Sequence, residues 1–507
     1  MLKRVRIALT ALLLLAAVGV NAQVTTASMA GKVTDASNEP IIGATVQAVH
    51  QPSGSRYGTV TNVDGRYSIQ GMRTGGPYRV EISYIGYQTV IYKDITLQLG
   101  EVYNLNVEMS ESSELLNEVI VTAAKTKFTA EKTGATTNIS SAQITQLPTV
   151  NRSISDIARL SPYANGMSFA GGDGRSTNFT IDGANFNYNF GLSFNLPGGG
   201  NPISMDAIEE VQVVVAPFDV RQTNFIGGGI NAITKSGTNT FRGTAYTYYR
   251  NQDMRGNRIN GEDLGARSDE SKTTYGFTLG GPIIKNKLFF FVNYEKEKTP
   301  GEVIKYRARE DGEEAKGMVS RTLKSDMEKV YNHLKDKYGY DAGSYTSFPA
   351  DEENTKILAR IDWNITDRHR LSLRYNNTKN TAWNAPNGNS SDTGYRLNNT
   401  YRVGTQSMAF ANSMYSMDNK VQSWATDLNS RFTDKISNQL LFTYTNIEDM
   451  RGTNSSPFPF IDIMAGKDEN GNQILEPYMS AGYELFTYNN GVTVSYTHLP
   501  SPRDRTR

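Results

Sequence analysis

Between residues 355 and 365 the chain reads T-K-I-L-A-R-I-D-W-N-I. Drawn as an extended strand, this puts Ile357, Ala359, Ile361, Trp363 and Ile365 on one side and Arg360, Asp362 and Asn364 on the other. A period of two is incompatible with a helix. The same division recurs with Leu371, Leu373 and Tyr375 against Ser372, Arg374 and Asn376, and with Trp424, Thr426, Leu428 and Phe432 against Asp427, Asn429 and Arg431. Strands with one apolar and one charged face suit a wall with lipid outside and water inside, and they average out as only mildly apolar. The absence of a long apolar run beyond Val20 therefore does not exclude a membrane.

Connections between these segments alternate in length. Tight turns at 283–287, 366–368 and 433–435 are expected on the periplasmic side, and long loops at 299–354 and 381–420 outside. Strands are predicted near 240–250, 273–283, 287–297, 355–365, 369–379, 421–432 and 436–447, with an eighth near 484–495. The first long loop is predicted to carry a helix, with a Ser325/Glu328 capping box, a face of Met327, Val330, Tyr331, Leu334 and Tyr338, and Gly339 as its stop. That face reads as loop packing rather than a ligand site.

The N-terminus begins as a secretory signal over 1–22. Lys3, Arg4 and Arg6 precede the apolar stretch 7–20, and Val20, Asn21 and Ala22 form a small-residue cleavage site. The apolar stretch is short for a spanning anchor. Cysteine is absent, which removes disulfides and thiolate metal sites, and 52 basic residues against 51 acidic ones give no global charge that would point to nucleic acid.

Residues 23–109 alternate short apolar runs with turns, including Asp64-Gly65 as an expected hairpin, and predict a β-sandwich of about seven strands. This segment resembles the carboxypeptidase-regulatory-like, transthyretin-like domain. It has one histidine, His50, where a zinc peptidase needs clustered His and Glu ligands, so a structural or docking role is expected. An acidic linker at 110–117 opens the segment 110–135. Within it Glu118, Val119, Ile120, Val121, Thr122 and Ala123 form a β-branched run between polar stretches. Read as a strand standing alone, the run offers unpaired backbone groups to another protein's sheet edge; the alternative is a core strand.

From 136 to 239 the pattern is mixed α/β. A helix is predicted at 153–160, a strand entering a turn at 178–184, and a buried strand at 207–215. The glycine-dense stretch 218–239, F-D-V-R-Q-T-N-F-I-G-G-G-I-N-A-I-T-K-S-G-T-N, then leads into the first alternating strand. Together with the run at 118–123, the T-I-D-G turn and I-E-E-V-Q-V-V, it resembles the plug of TonB-dependent outer-membrane receptors over 23–450, most closely their Oar-like branch.

The resemblance implies a mainly β chain: sandwich, mixed α/β plug over 136–239, and over 240–495 the first seven or eight strands of a transmembrane antiparallel β-barrel of 22. It implies export to the outer membrane of a Gram-negative cell, contact with outer-membrane lipid, no catalysis and no cofactor. The function implied is transport of an unknown ligand, driven by a TonB-type partner that captures Glu118, Val119, Ile120, Val121, Thr122 and Ala123 as a strand. Asp182, Gly183, Glu209, Glu210, Arg221, Gly227, Gly228 and Gly229 carry the plug motifs. Asp182, Glu209, Glu210 and Arg221 are expected to hold plug to wall, or else to be solvated charges facing a wet lumen. A surface adhesion or scaffold protein without transport is the rival reading.

No enzyme chemistry emerges. The runs at 171–174 and 227–229 lack the Gly-Lys-Ser/Thr ending of a phosphate loop, and His50, His333, His369 and His498 show no metal spacing. The tail at 496–507 lacks alternation and resembles a non-native remnant, so the chain is expected to be a C-terminally truncated fragment.

Overall fold

The computed structural model describes residues 24–495 apart from 112–118, 123–134, 150, 189–195, 216–221, 223–226, 255, 257, 264–270, 301–305, 349–350, 387–401, 435, 467–469, 472–476, 484 and 488–492. The signal at 1–22 and the tail at 496–507 lie outside the described residues.

The N-terminal sandwich comprises β1 (Ala27–Asp35), β2 (Thr45–His50), β3 (Ser55–Val60), β4 (Arg66–Met72), β5 (Gly75–Ser83), β6 (Val90–Leu97), β7 (Val102–Asn104) and β8 (Val107–Met109). One sheet runs β4-β1-β7, with β8 also on β1; the other runs β3-β2-β5-β6. Alternate residues face inward, so Met29, Val33, Val46, Ala48, Tyr78, Val80 and Ile82 meet in one core. Asp64-Gly65 does not close a hairpin, because β3 and β4 belong to different sheets. Gly65 is nevertheless required: it adopts φ +73°, and a Cβ there would lie 2.5 Å from the Val33 carbonyl oxygen.

Next in the chain, β9 (Val119–Thr122) precedes β10 (Ala135–Ser140), the edge of a second sheet. That sheet continues with Ile208–Val215, Gly228–Thr234, Asn178–Ile181 and Ala184–Asn185. All seven residues of Gly228–Thr234 are buried, as a strand covered on both faces requires. The expected helix near 153–160 spans Ile154–Ala158 and is capped by Ser153 with Asp156. Its Ile154 and Ile157 share a core with Phe179, Val211 and Ile230, and with Phe291, Leu358 and Val421 from the third sheet.

The third sheet is an antiparallel meander of seven strands: Arg242–Asn251, Ser271–Ile284, Leu288–Thr299, Glu352–Asn364, His369–Asn384, Tyr415–Arg431 and Ser437–Gly452. Its outer face is a continuous apolar surface that includes exposed Phe277, Ile361, Trp363, Leu373, Trp424 and Phe442, as a lipid-facing wall requires. The inner face buries Thr278, Asn293, Glu295, Asp362, Arg374 and Asn376. Among the described residues of 484–495, no eighth strand joins this sheet. Residues Leu485–Thr487 and Thr493–Ser495 instead pair with each other.

The long connections form a structured cap on the opposite side from the tight turns. Met327 and Leu334 of the helix Lys324–Tyr338 pack with Tyr340, Phe410, Met414 and Met479, drawn from three loops. The helix starts at Lys324, so Ser325 and Glu328 do not form its capping box; its N-cap is Leu323, without a side-chain cap. A distant tyrosine substitutes: the Tyr478 hydroxyl accepts the Leu323 N–H at 2.7 Å and donates to the Asp326 carboxylate at 3.0 Å. Gly339 ends the helix at φ +63°, and Tyr338 is exposed.

Lipid contact gives the outer face a measurable sensitivity. Leu373→Arg is expected to destabilise the protein in vesicles by about 2–4 kcal/mol, the cost of an arginine near the bilayer midplane, read as a shift in urea unfolding. An unchanged midpoint would mean that Leu373 does not face lipid.

Candidate functional site

The site is the contact between the mixed α/β sheet and the inner face of the wall. At its centre is the two-residue turn between Asn178–Ile181 and Ala184–Asn185, in which Asp182 has φ +44° and Gly183 φ +78°. Two positive φ values make this the hairpin turn that Asp-Gly favours. The turn aims the Asp182 carboxylate at the wall, where Arg360 Nη1 lies 3.5 Å away and Arg374 Nε 3.4 Å away. Its oxygens also accept from the Thr234 N–H at 2.9 Å and the Thr234 hydroxyl at 2.6 Å. Arg360 in turn pairs with Asp362 at 3.0 Å and donates to the Thr234 carbonyl oxygen at 2.8 Å. Buried charges are tolerable only when paired; Asp182 pairs across the boundary between the two sheets, whereas Arg360 and Asp362 pair within the wall.

A second contact lies farther along the wall. Ser204 donates to Glu295 Oε2 at 2.8 Å and Tyr246 donates to the same oxygen at 2.9 Å, while Lys356, almost fully buried, meets Glu295 Oε1 at 2.9 Å and also Glu297. Backbone closes a third: Asn354 and Thr378 donate to the carbonyl oxygens of Gly198 and Pro202 at 3.1 and 2.7 Å. A Cβ on Gly199 would lie 2.5 Å from the Asn380 side chain, so only glycine allows that approach.

The other motif residues divide. Glu210 accepts the Leu99 N–H at 3.0 Å, and neighbouring Gln212 donates to the Leu99 carbonyl at 2.6 Å, which ties this sheet to the sandwich. Glu209 lines a cavity of about 420 Å³ among sandwich, mixed sheet and wall, with His50, Arg73, Lys235, Arg360 and Asp427. Burial raises its carboxyl pKa against the opposing pull of Lys235, Arg360 and Arg242. Gly227 has φ +117°, and a Cβ on Gly228 would lie 2.5 Å from the Phe169 ring. Gly229 pairs in register with Val214 and Asn178. Arg221, Glu118 and Ala123 lie outside the described residues.

The sandwich docks at the tight-turn end of the wall. Arg73 lies 3.6 Å from Asp362, the Arg370 guanidinium stacks 3.7 Å over the Tyr57 ring, and the Asn239 N–H donates to the Pro52 carbonyl at 2.8 Å. His50, at the end of β2, is buried, with Nδ1 2.7 Å from the Ser53 hydroxyl. Burial, helped by the Arg73 charge, holds its pKa down to about 3.

The run at 118–123 does not stand alone. Val119–Thr122 forms β9 and pairs in parallel with β6, as Val90↔Val119, Ile91↔Ile120, Tyr92↔Val121 and Lys93↔Thr122. The β-branched residues did mark a strand seeking an edge. β6 is the last strand of its own sheet and leaves such an edge open within the same chain.

Arg374 and Arg360 were visible in the sequence as wet-face residues, but their role was not. Alternation assigns a face, whereas the partner comes from a turn some 180 residues earlier in the chain. The buried Lys356 and Glu295 left no signal beyond the same alternation.

Residues 28–110 match the carboxypeptidase regulatory-like domain, and residues 233–304 match an outer membrane beta barrel domain. Over 376 residues the chain is 25% identical to the TonB-dependent transporter Oar of Myxococcus xanthus, an alignment covering 69% of this chain and 33% of that protein. The chain thus spans about a third of the length of the curated relative it matches. Similar solved structures include the siderophore receptor PirA from Pseudomonas aeruginosa, at 15% identity and TM-score 0.39 over 64% of this chain and 43% of that one. The outer membrane transporter YddB from Escherichia coli has 15% identity and TM-score 0.43 over 63% and 40%.

Removing the Asp182 charge takes from buried Arg374 the carboxylate beside it and leaves Arg360 with Asp362. Asp182→Asn is expected to lower protection of Gly228–Thr234 amides in hydrogen exchange by on the order of 3 kcal/mol; unchanged protection would mean the pairs hold nothing. His50 predicts a pH effect. The unfolded chain takes up a proton below its ordinary pKa of 6.5, and the folded sandwich resists doing so until about pH 3. Stability from this group is therefore complete above 6.5 and falls as the pH drops between those values, by about 2 kcal/mol at pH 5. Sandwich amides of His50→Gln should lack that part of the pH dependence; an identical profile in the variant would contradict it.

Proposed function

The chain belongs to the TonB-dependent outer-membrane receptor family, Oar-like by homology, and from that premise we propose that it moves a ligand inward across the outer membrane with energy delivered through a TonB-type partner. The mixed α/β sheet acts as the plug, and the seven-stranded wall is an arc of a closed barrel of about 22 strands. Closure follows from the solvent: the edge strands of an open arc would leave backbone groups unsatisfied in hydrocarbon, at several kcal/mol each.

The observation that carries this reading is the path from Val119–Thr122 into the plug. Twelve residues separate Thr122 from Ala135, where β10 begins. Among the described residues β10 is an edge strand of the plug sheet, paired with Ile208–Val215. A pull applied at 119–122 reaches that edge strand first and can peel it from the sheet while Asp182 still holds the rest to Arg360 and Arg374. The sandwich and the tight turns occupy the same end of the wall, which makes that end the periplasmic one, where an energy-coupling partner has access. The partner takes 118–123 by strand addition, using backbone groups for affinity.

Deleting residues 118–123 should abolish capture of a purified periplasmic TonB domain by the detergent-solubilised receptor, while outer-membrane assembly, read by heat-modifiable gel mobility, stays as in the parent. Undiminished capture would remove the coupling role from this segment.

A further inference from the structure

We propose that the N-terminal sandwich is a latch for the coupling strand: β6 holds Val119–Thr122 as a fifth strand of its sheet, and the strand must leave β6 before a partner can take it. This inference rests on the coupling role argued above for the same residues.

Register is the first ground. The four paired residues are the four central residues of the coupling segment, so the ladder on β6 engages backbone groups that strand addition would also need. Position is the second. The chain leaving β8 is fixed beside the start of β6, where the Gln88 N–H donates to the Ser110 carbonyl at 2.9 Å and Tyr87 bridges Glu111. Only residues 112–118 then separate Glu111 from β9. A connection that short keeps the strand at an effective concentration on the order of millimolar next to its edge. A partner present at micromolar concentration competes at a disadvantage of about a thousandfold.

The hold is weak enough to release. Four residues pair on one strand only, in the parallel arrangement, which is slightly less stable per residue than the antiparallel one. There is also a route by which the plug can act on the latch. Leu99, two residues beyond the end of β6, exchanges hydrogen bonds with Glu210 and Gln212 of the plug strand Ile208–Val215. A shift of that strand displaces the end of β6 and with it the edge on which β9 rests. The sandwich thus acquires a regulatory role with no catalytic content.

The chain has no cysteine, so the latch can be locked cleanly with Lys93→Cys and Thr122→Cys, a facing pair in the ladder. The probe is the purified periplasmic TonB domain, titrated against the solubilised receptor in oxidised and reduced forms. The expected result is that the bridged form loses binding by at least tenfold and that reduction restores it. As an independent arm, lengthening the 112–118 connection fourfold with Gly and Ser should tighten apparent TonB-domain binding by about eightfold, because effective concentration falls roughly as the −3/2 power of length. Equal binding by bridged and reduced forms would overturn the latch and leave the coupling role intact, since the partner would then be extending the sheet from the free side of β9. Failure of the bridge to form under oxidant, or absence of exchange protection at the Val119–Thr122 amides of the parent protein, would place the strand off β6 and overturn the latch directly. If the parent and the reduced form both fail to bind, the coupling role itself falls, and the latch with it.

Discussion

The charge pair between Asp182 and the two wall arginines is the contact on which the rest of this architecture depends. A wall that faces lipid must satisfy its backbone within itself and so must be sheet, and sheet alternation turns every second side chain inward. Those inward positions carry Arg360, Arg374, Asp362, Glu295 and Lys356, several of them almost fully buried. Charges so placed either face water or meet counter-charges. In this chain the plug supplies the counter-charge from a two-residue turn, so filling the lumen and neutralising it are a single event.

That arrangement divides labour between plug segments. The turn at Asp182 and the glycines near 198–199 fix the plug to the wall, Glu210 and Gln212 fix it to the sandwich, and β10 lies at the margin. The stretch that would receive a pull is thus an edge of the plug sheet, paired among the described residues with Ile208–Val215. The sandwich connects to both ends of this system, through Arg73 and Arg370 at the wall turns and through β6 at the coupling strand. The long connections contribute separately, building their own apolar core around Phe410, Met414 and Met479.

Much of this was legible in the sequence, for identifiable reasons. The seven wall strands were placed because alternation between Ile, Trp or Leu and Arg, Asp or Asn is a local signal that survives any tertiary context. The Asp182-Gly183 turn and the Ile154–Ala158 helix were likewise local, written in a turn dipeptide and in apolar residues at helical spacing. What failed was set at a distance. The start of the loop helix was misplaced because its first turn is bonded by Tyr478, some 150 residues onward. Asp64-Gly65 was read as a hairpin because a turn dipeptide does not say whether the strands it joins share a sheet. An eighth wall strand was expected at 484–495, where Leu485–Thr487 and Thr493–Ser495 instead pair with each other. The run at 118–123 was read as a strand standing alone, yet Val119–Thr122 pairs with β6 of the same chain; Glu210, expected to hold plug to wall, accepts the Leu99 N–H of the sandwich.

The central claim is that the strand Val119–Thr122 changes partner, from the sandwich at rest to the energy-coupling protein in action. Spin labels at Ser68→Cys, exposed on the opposite sheet of the sandwich, and Thr122→Cys would measure this in the receptor reconstituted in vesicles. The account predicts one narrow distance distribution for the receptor alone and a shift to longer, broader distances on addition of the periplasmic TonB domain. A narrow distribution that persists at saturating TonB domain would contradict it.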